Sequence, residues 1–411
     1  MSLLVVIGLT NALADNQLFQ VGESFYFGSY EQDNNIENGP EPIEWVILDT
    51  TDNQALMISK YALDCWEYDD GGYIWYLSTL RQRLNKEFYS AAFSASEQDK
   101  ILSVSIINNR KEGNSEWKTS DGSSTIDKVF LLSVREVKEY FKDTNAAKTS
   151  GTEYARAQGA KFLGITTIGV GETDWWLRSP GAKNGEAAFV GTVVHSIGSK
   201  SVTDKIGVRP AIKIDMTADF SDLPYVRYIN AKDAAAAGDY TTAYGILDQL
   251  GNYLDSVALA EEYRYMHAAT AVDAVDYELA VSLYEQLGSY QDSQSLLLTC
   301  RYQWAVAAQE SGNYDKAIEL FTDCGQYQDT MSRLKACFNA KGISMYYFSG
   351  KAVNTGHDNG FKNNEAIGSD DRHFGWRLGR FMISDFTQRT SDAEGNPVFL
   401  KTVGDSVTLW F

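Results

Sequence analysis

The sequence predicts a multi-domain chain: an α+β domain first, a helical repeat array in the middle and an incomplete β-rich domain at the end. Three observations carry this prediction. Residues 231–342 repeat themselves with a period of 37. Residues 18–216 intersperse strand-like runs with short amphipathic helices and show no regular βαβ period, which argues for α+β. Residues 343–411 turn strand-like again, and the recorded chain stops inside the last such run.

The first fourteen residues read as part of a signal peptide. Leu3 to Leu9 is an apolar run, and Ala12-Leu13-Ala14 fits the small-x-small cleavage rule. The basic region that normally precedes such a run is missing, since the first Lys or Arg is Lys60. The expected mature start is near Asp15, and the expected location is secreted or at the cell surface. A buried N-terminal strand is the alternative. No later stretch approaches the ~18 consecutive apolar residues of a membrane span, so no membrane insertion is expected.

In the α+β domain, Trp45 to Leu48 and Ala55 to Ile58 are strand-like runs separated by Asp49 to Asn53, a hairpin pattern. Leu80, Leu84 and Phe88 follow Ser78 at helical spacing. Ser133 to Glu136 is a capping box, and Leu132 and Val137 flank it as a hydrophobic staple. Phe189-Val190 and Val193-Val194 alternate around Gly191 as in a returning strand.

The repeat rests on five registers that agree across three copies. They are Tyr240/Tyr277/Tyr314, Ala243/Ala280/Ala317, Gly251/Gly288/Gly325, Tyr253/Tyr290/Tyr327 and Asp255/Asp292/Asp329. Each copy reads as a helix pair. Ala280, Leu283, Tyr284 and Leu287 sit at i, i+3, i+4 and i+7 and face one side of a helix. The glycine supplies the left-handed residue that ends it. The following Asp is placed to cap the second helix, and Asp239, Asp276 and Asn313 to cap the first. One hairpin cannot bury its own apolar face, whereas stacked hairpins can. The expectation is six helices over 231–342. The pattern resembles tetratricopeptide repeats, with a longer period and without their full consensus. Asp392 to Pro397 is a turn signal in the last segment, and Val398 to Leu400 and Val407 to Phe411 after it are strand-like runs.

Composition limits the function. A formal net charge of −19 repels phosphate backbones and anionic lipid, so nucleic acid is not an expected partner. Cys65, Cys300, Cys324 and Cys337 form no CxxC pair, so no zinc site or disulfide framework is expected. Cys300 and Cys337 hold the same repeat position, about 10 Å apart if adjacent units stack as packed helices do, which is too far for a bridge. The four His are scattered, and HExxH, GxSxG and Walker A patterns are missing. No catalytic residue, metal or cofactor is therefore predicted.

One series of motifs carries a resemblance. Pro42 to Trp45, Leu80-Arg81 with Leu84-Asn85, Asp127 to Ser133, Trp175-Trp176-Leu177-Arg178-Ser179-Pro180-Gly181 and Gly207-Val208-Arg209-Pro210-Ala211 occur in that order. The series resembles an uncharacterised domain family of exported Gram-positive (Firmicutes) proteins. Its ending is similar to the C-type-lectin-like fold. With Cys65 as the lone cysteine of this segment, the copper chemistry of formylglycine-generating enzymes is not implied. Glu41-Pro42 is followed by Ile43, so calcium-dependent sugar binding is not implied either.

The candidate ligand-binding residues are Trp175, Trp176, Arg178, Ser179 and Arg209. Alternation along a strand predicts that one Trp faces the core and the other the surface. An exposed Trp beside an Arg fork suits a sugar ring or an extended peptide. The competing reading is that both Arg pin loops by bonding carbonyls. The expected function is an exported, non-catalytic binding protein with a protein or glycan ligand, its repeats acting as spacer and interaction scaffold. The alternatives are a scaffold that binds only through its repeats, and a cell-wall or glycan-processing enzyme with an unrecognised carboxylate site.

Overall fold

A computed structural model describes residues 18–117, 119, 122–142, 146–163, 171–192 and 197–341, with the backbones of Lys401–Val403 and Ser406–Thr408. At Phe162–Leu163 the backbone alone is described. The expected leader and the turn at 392–397 lie outside these residues, as do Val193-Val194. Two compact units result. One comprises the residues up to Ala236 with Ile246–Val257; the other comprises Ala237–Gly245 with Ala258 onward.

The first unit is α+β, as expected, and holds two five-stranded sheets. The first sheet contains β1 (Ser24–Tyr30), β2 (Glu41–Thr51) and β3 (Gln54–Ser59). The second begins with β4 (Asp64–Trp66). The short β5 (Val129–Phe130) belongs to the first sheet. Next come β6 (Trp175–Pro180), β7 (Glu186–Val190), β8 (Ile197–Ser201) and β9 (Ile206–Val208) of the second sheet, then β10 (Ala211–Asp215) of the first. The first sheet runs β1-β2-β3-β10-β5 and the second β8-β7-β6-β9-β4; β6 and β9 are parallel and the other pairs antiparallel.

Sequence accounts for these elements locally. Ile43, Trp45 and Ile47 alternate inward along β2 and are fully buried. The β2–β3 turn is tighter than the sequence suggests. The strand continues to Thr51, and Asp52 and Asn53 both take φ of 57°, the two left-handed positions of a type I′ turn. Leu80, Leu84 and Phe88 are buried on a helical run over 79–92, and the Ser78 side chain accepts from the Arg81 N–H at its start. Helix α1 (Val134–Tyr140) carries the predicted capping box in both directions, Ser133 with Glu136, and Leu132 and Val137 are buried beside it.

Seven helices follow among the described residues: the six expected within 231–342 and one more that begins before that span. They are α2 (Pro224–Ala236), α3 (Tyr240–Leu250), α4 (Ser256–Asp273), α5 (Tyr277–Leu287), α6 (Ser293–Glu310), α7 (Tyr314–Cys324) and α8 (Thr330–Ala340). Helix α2 begins before the predicted boundary at 231 yet keeps the period. Ala231, Ala268 and Ala305 are each fully buried and 37 apart. In the second unit α5 packs on α6, α6 on α7 and α7 on α8. Ala280 and Ala317 are fully buried, and Leu283 and Leu320 nearly so. Gly251, Gly288 and Gly325 take positive φ of 57°, 56° and 59°, but Gly288 and Gly325 have ψ of −112° and −121°, so they leave the helix through a glycine-favoured region other than the expected left-handed helical one. Asp239, Asp276 and Asn313 accept from the N–H of Thr242, Leu279 and Lys316, as helix N-caps do.

The other three aspartates do something different. Asp292 and Asp329 stand at N-cap positions but make no side-chain cap bond. Instead Tyr228 donates to Asp255 (2.7 Å), Tyr265 to Asp292 (2.7 Å) and Tyr302 to Asp329. Each pair joins a second helix to the start of the one a repeat later. All four cysteines are buried and unbridged, and burial raises the thiol pKa of each.

At the far end, Lys401–Val403 pairs antiparallel with Ser406–Thr408.

Candidate functional site

Strand β6 delivers the residues singled out in the sequence, and it places them inside. Trp175 and Trp176 are both fully buried. Alternation does separate their faces, but β6 sits between β7 and β9 in a sheet covered on both sides, so neither face reaches solvent. Their indole N–H groups donate to the carbonyls of Ala147 (3.2 Å) and Trp66 (2.9 Å). The expected exposed aromatic face at this pair is thus corrected to core.

Arg178 is 3% exposed and acts as an internal strut. Its two terminal nitrogens donate bidentately to the Glu136 carboxylate, and also to the carbonyls of Leu131 (2.8 Å) and Ile107 (3.4 Å). Glu112 stands 3.7 Å away. Burial alone would raise the Glu136 carboxyl, but the Arg178 charge and hydrogen bonds, the Ser133 N–H and Arg135 together hold it below the ordinary carboxylate value. Ser179 is equally enclosed: its hydroxyl donates to the Glu112 carbonyl (2.8 Å) and accepts from the Val134 N–H (3.0 Å). Ser133 Oγ and Arg135 Nε close the network on the Glu112 carboxylate. Both carboxylates are paired, so neither is poised for general acid or base work.

Arg209 belongs elsewhere. It donates to the carbonyls of Ser59 (2.7 Å) and Ala147 (3.1 Å), and its guanidinium lies 5.1 Å from the Trp175 ring. Burial pushes its pKa down to about 9, which leaves it charged at neutral pH. Its partners are not those of Arg178, so the two forks do not meet in one site. Each pins a loop by binding carbonyls.

A crevice nevertheless opens beside Arg178. It is lined by Trp75, Asn108, Glu112, Arg178, Ser179 and Pro180, with room at its centre for about one water-sized group (≈ 10 Å³). A second, contiguous depression shares Asn108, Asn109 and Pro180 and adds Asn114, Trp117 and Thr119. Gly122 forms one wall, where a Cβ would meet Ile74 at 2.9 Å. Two residues that line it each carry an unpaired polar atom: Arg178 Nε and Asn108 Oδ1 are both shielded from solvent and have no hydrogen-bond partner among the described residues. Leaving such a group unpaired costs roughly 1–3 kcal/mol, so two at one place call for an account. Asn108 reaches its position through its Nδ2, which donates to the Ser123 carbonyl (2.9 Å). Trp117 is half-buried at the mouth. Sequence reasoning missed Asn108 and Trp117 because both lie in irregular segments with no period.

Among the described residues one group of carboxylates could share a cation: Glu31, Asp33 and Glu41, with ligand oxygens within 4.8 Å of one another. Glu41 there accepts from the backbone N–H of Gln32 and Asp33, and Asp33 from Asn35 and Asn38. These bonds account for the loop without an ion. Among the described residues no helix is long and apolar enough to cross a membrane.

Residues 52–216 are similar to a family described as a domain of unknown function (DUF6273). That span runs from the β2–β3 turn to just past β10 and includes Asn108, Trp117, Arg178 and Arg209. No curated protein matches the chain.

Proposed function

We propose that this chain is a secreted or cell-surface binding protein with no catalytic role. Its α+β unit holds a protein or glycan ligand at the crevice beside Arg178. Its 37-residue helical repeats act as spacer and protein-interaction scaffold. The reading rests on one observation above all: a crevice lined by Arg178 and Asn108, each of which carries a buried polar atom with no partner among the described residues, adjoins a depression lined by asparagines and a half-buried Trp. Binding sites commonly pair a few fixed polar groups with an aromatic surface. The motif order from Pro42 to Ala211, with its resemblance to exported Gram-positive proteins and to the C-type-lectin-like fold, supports the same reading. So does the apolar run before Asp15. The tetratricopeptide-like register supports the scaffold role, since stacked helix pairs offer extended surfaces to other proteins.

The test is an array of glycans and peptides probed with the full chain and with Trp117→Ala. Ligand signals that fall in the variant support the site. A full chain that binds nothing on either array, or whose every signal survives Trp117→Ala, refutes it.

A further inference from the structure

The first unit carries a second, wider opening that shares no residue with the crevice beside Arg178. It is a groove of ≈ 330 Å³, lined by Leu18, Glu23 and Ser24 where the chain enters β1 and by Tyr225, Ile229 and Asp233 of α2. Both segments lie outside 52–216, so the family domain does not include it. We propose that this groove takes an arginine side chain of a protein partner, its aliphatic stem against Leu18 and Ile229 and its guanidinium at Glu23, Asp233 and Tyr225.

Three observations carry this. The first is size. A volume of ≈ 330 Å³ falls within the range of ordinary ligand pockets, about 300–1,000 Å³. The second is arrangement. Tyr225, Ile229 and Asp233 are spaced by four and share one stripe of α2, while Val226 and Ala231 of the same helix are buried. Tyr225 is fixed in place, since its hydroxyl donates to the Ser24 carbonyl (3.3 Å) and its ring packs edge-on against Phe25 (5.2 Å). Aliphatic side chains beside a tyrosine ring suit a long basic side chain, which lays its stem on apolar surface and stacks its guanidinium on an aromatic face.

The third observation is charge. Glu23 and Asp233 are the charged residues of the groove, and neither carboxylate has an ion pair or hydrogen bond among the described residues. Burial, then Glu44 and Glu23, push the Tyr225 phenol up, which sets the Glu23 charge near that ring. Glu44 is already paired with Lys60 (2.9 Å). An anion would meet two like charges here, on a chain of formal charge −19, and a neutral group would leave both carboxylates unpaired. A guanidinium offers forked donors that two carboxylates can share. The groove is also open, with Glu23 and Asp233 exposed. A free small cation would keep much of its surface in water, whereas a side chain is held there by its own protein.

Calorimetric titration of the full chain at low ionic strength tests this. The probe is a capped Gly-Arg-Gly peptide, with capped Gly-citrulline-Gly as its neutral isostere and n-butylguanidine as the cation without a peptide. The expected result is saturable binding of the arginine peptide that weakens with added salt and is lost with citrulline. Glu23→Gln and Asp233→Asn should each weaken it about two- to fivefold, the range of an exposed ion pair, and the double variant Glu23→Lys/Asp233→Lys should abolish it. Both positions are exposed, so these variants should keep the wild-type urea midpoint. Equal binding of the arginine and citrulline peptides overturns the proposal. So does arginine binding that the folded double variant keeps, or no arginine binding at millimolar concentration. n-Butylguanidine binding on the order of tenfold tighter than the peptide overturns it too, because the groove then admits a free cation and refuses a side chain whose backbone continues.

Discussion

Replacing Arg178 with Ala is the most informative perturbation of the first unit. The side chain is 2% exposed, and its main partner Glu136 is 16% exposed. The change removes both bonds to the Glu136 carboxylate and the donors to the Leu131 and Ile107 carbonyls. Glu136 then keeps the Ser133 N–H of its capping box, but it loses the charge that compensates it. Removing one partner of a buried ion pair costs about 3–5 kcal/mol. A whole domain is stable by only about 5–15 kcal/mol. With a urea dependence of about 2 kcal/mol per molar, the midpoint should fall by roughly 2 M. The assay is urea unfolding followed by tryptophan fluorescence, which reports on the unit that holds Trp45, Trp75, Trp175 and Trp176. The double variant Arg178→Met/Glu136→Leu leaves no charge behind and should lose less than the single one. If Arg178→Ala keeps its midpoint within about 0.5 M, near 1 kcal/mol, the strut reading is wrong.

Three further outcomes follow from the same structure. The Glu136 carboxyl titrates below its ordinary 4.5 in the folded state, so its contribution is fully present above about pH 4.5 and lost as pH falls through the lowered value. Urea midpoints taken between about pH 5 and pH 3 should therefore drop more steeply in the wild type than in Glu136→Gln, and equal slopes would contradict the pairing. Ala280 is fully buried in the second unit, and Ala280→Asp should cost several kcal/mol by burying an unpaired charge; a near-native thermal melt of the helical signal would speak against the packing. Tyr265→Phe removes only the solvent-screened bond to Asp292 and should cost less than about 1 kcal/mol, so a loss beyond about 2 kcal/mol by chemical denaturation would mean that these bonds hold the repeats together.

What could be read from the sequence was what recurs or what is local. The helix pairs were legible because five registers repeat, and the capping box because its two members sit within one turn. The tyrosine–aspartate bonds were not read, although Tyr228, Tyr265 and Tyr302 keep the same period. Their partners lie 27 residues on, across a hairpin, and an Asp before a helix matches a cap equally well in sequence. The aspartates yield because a phenolic O–H from the preceding second helix reaches them and claims the carboxylate. At Trp175 and Trp176 the two-face rule held for direction and failed for exposure, because a pattern of alternation does not tell an edge strand from one covered on both sides. The crevice was illegible for a different reason: Asn108, Trp117 and Arg178 are brought together by tertiary packing alone.

The donors of Arg178 are divided between a strut and a single unpaired N–H. A guanidinium carries five N–H groups in a rigid fork. The four on its terminal nitrogens face Glu136, Leu131 and Ile107, which leaves the one on Nε directed to no protein acceptor. The bonds that make Arg178 a strut thus hold that last donor in place, closed off from solvent. A lysine could not divide itself this way, since its three donors share one rotating nitrogen. Arg178→Lys should therefore weaken the fold, whereas Trp117→Ala, at the mouth of the crevice, should leave the urea midpoint in place. An Arg178→Lys chain that kept its urea midpoint would show that the fork geometry has no role in the fold.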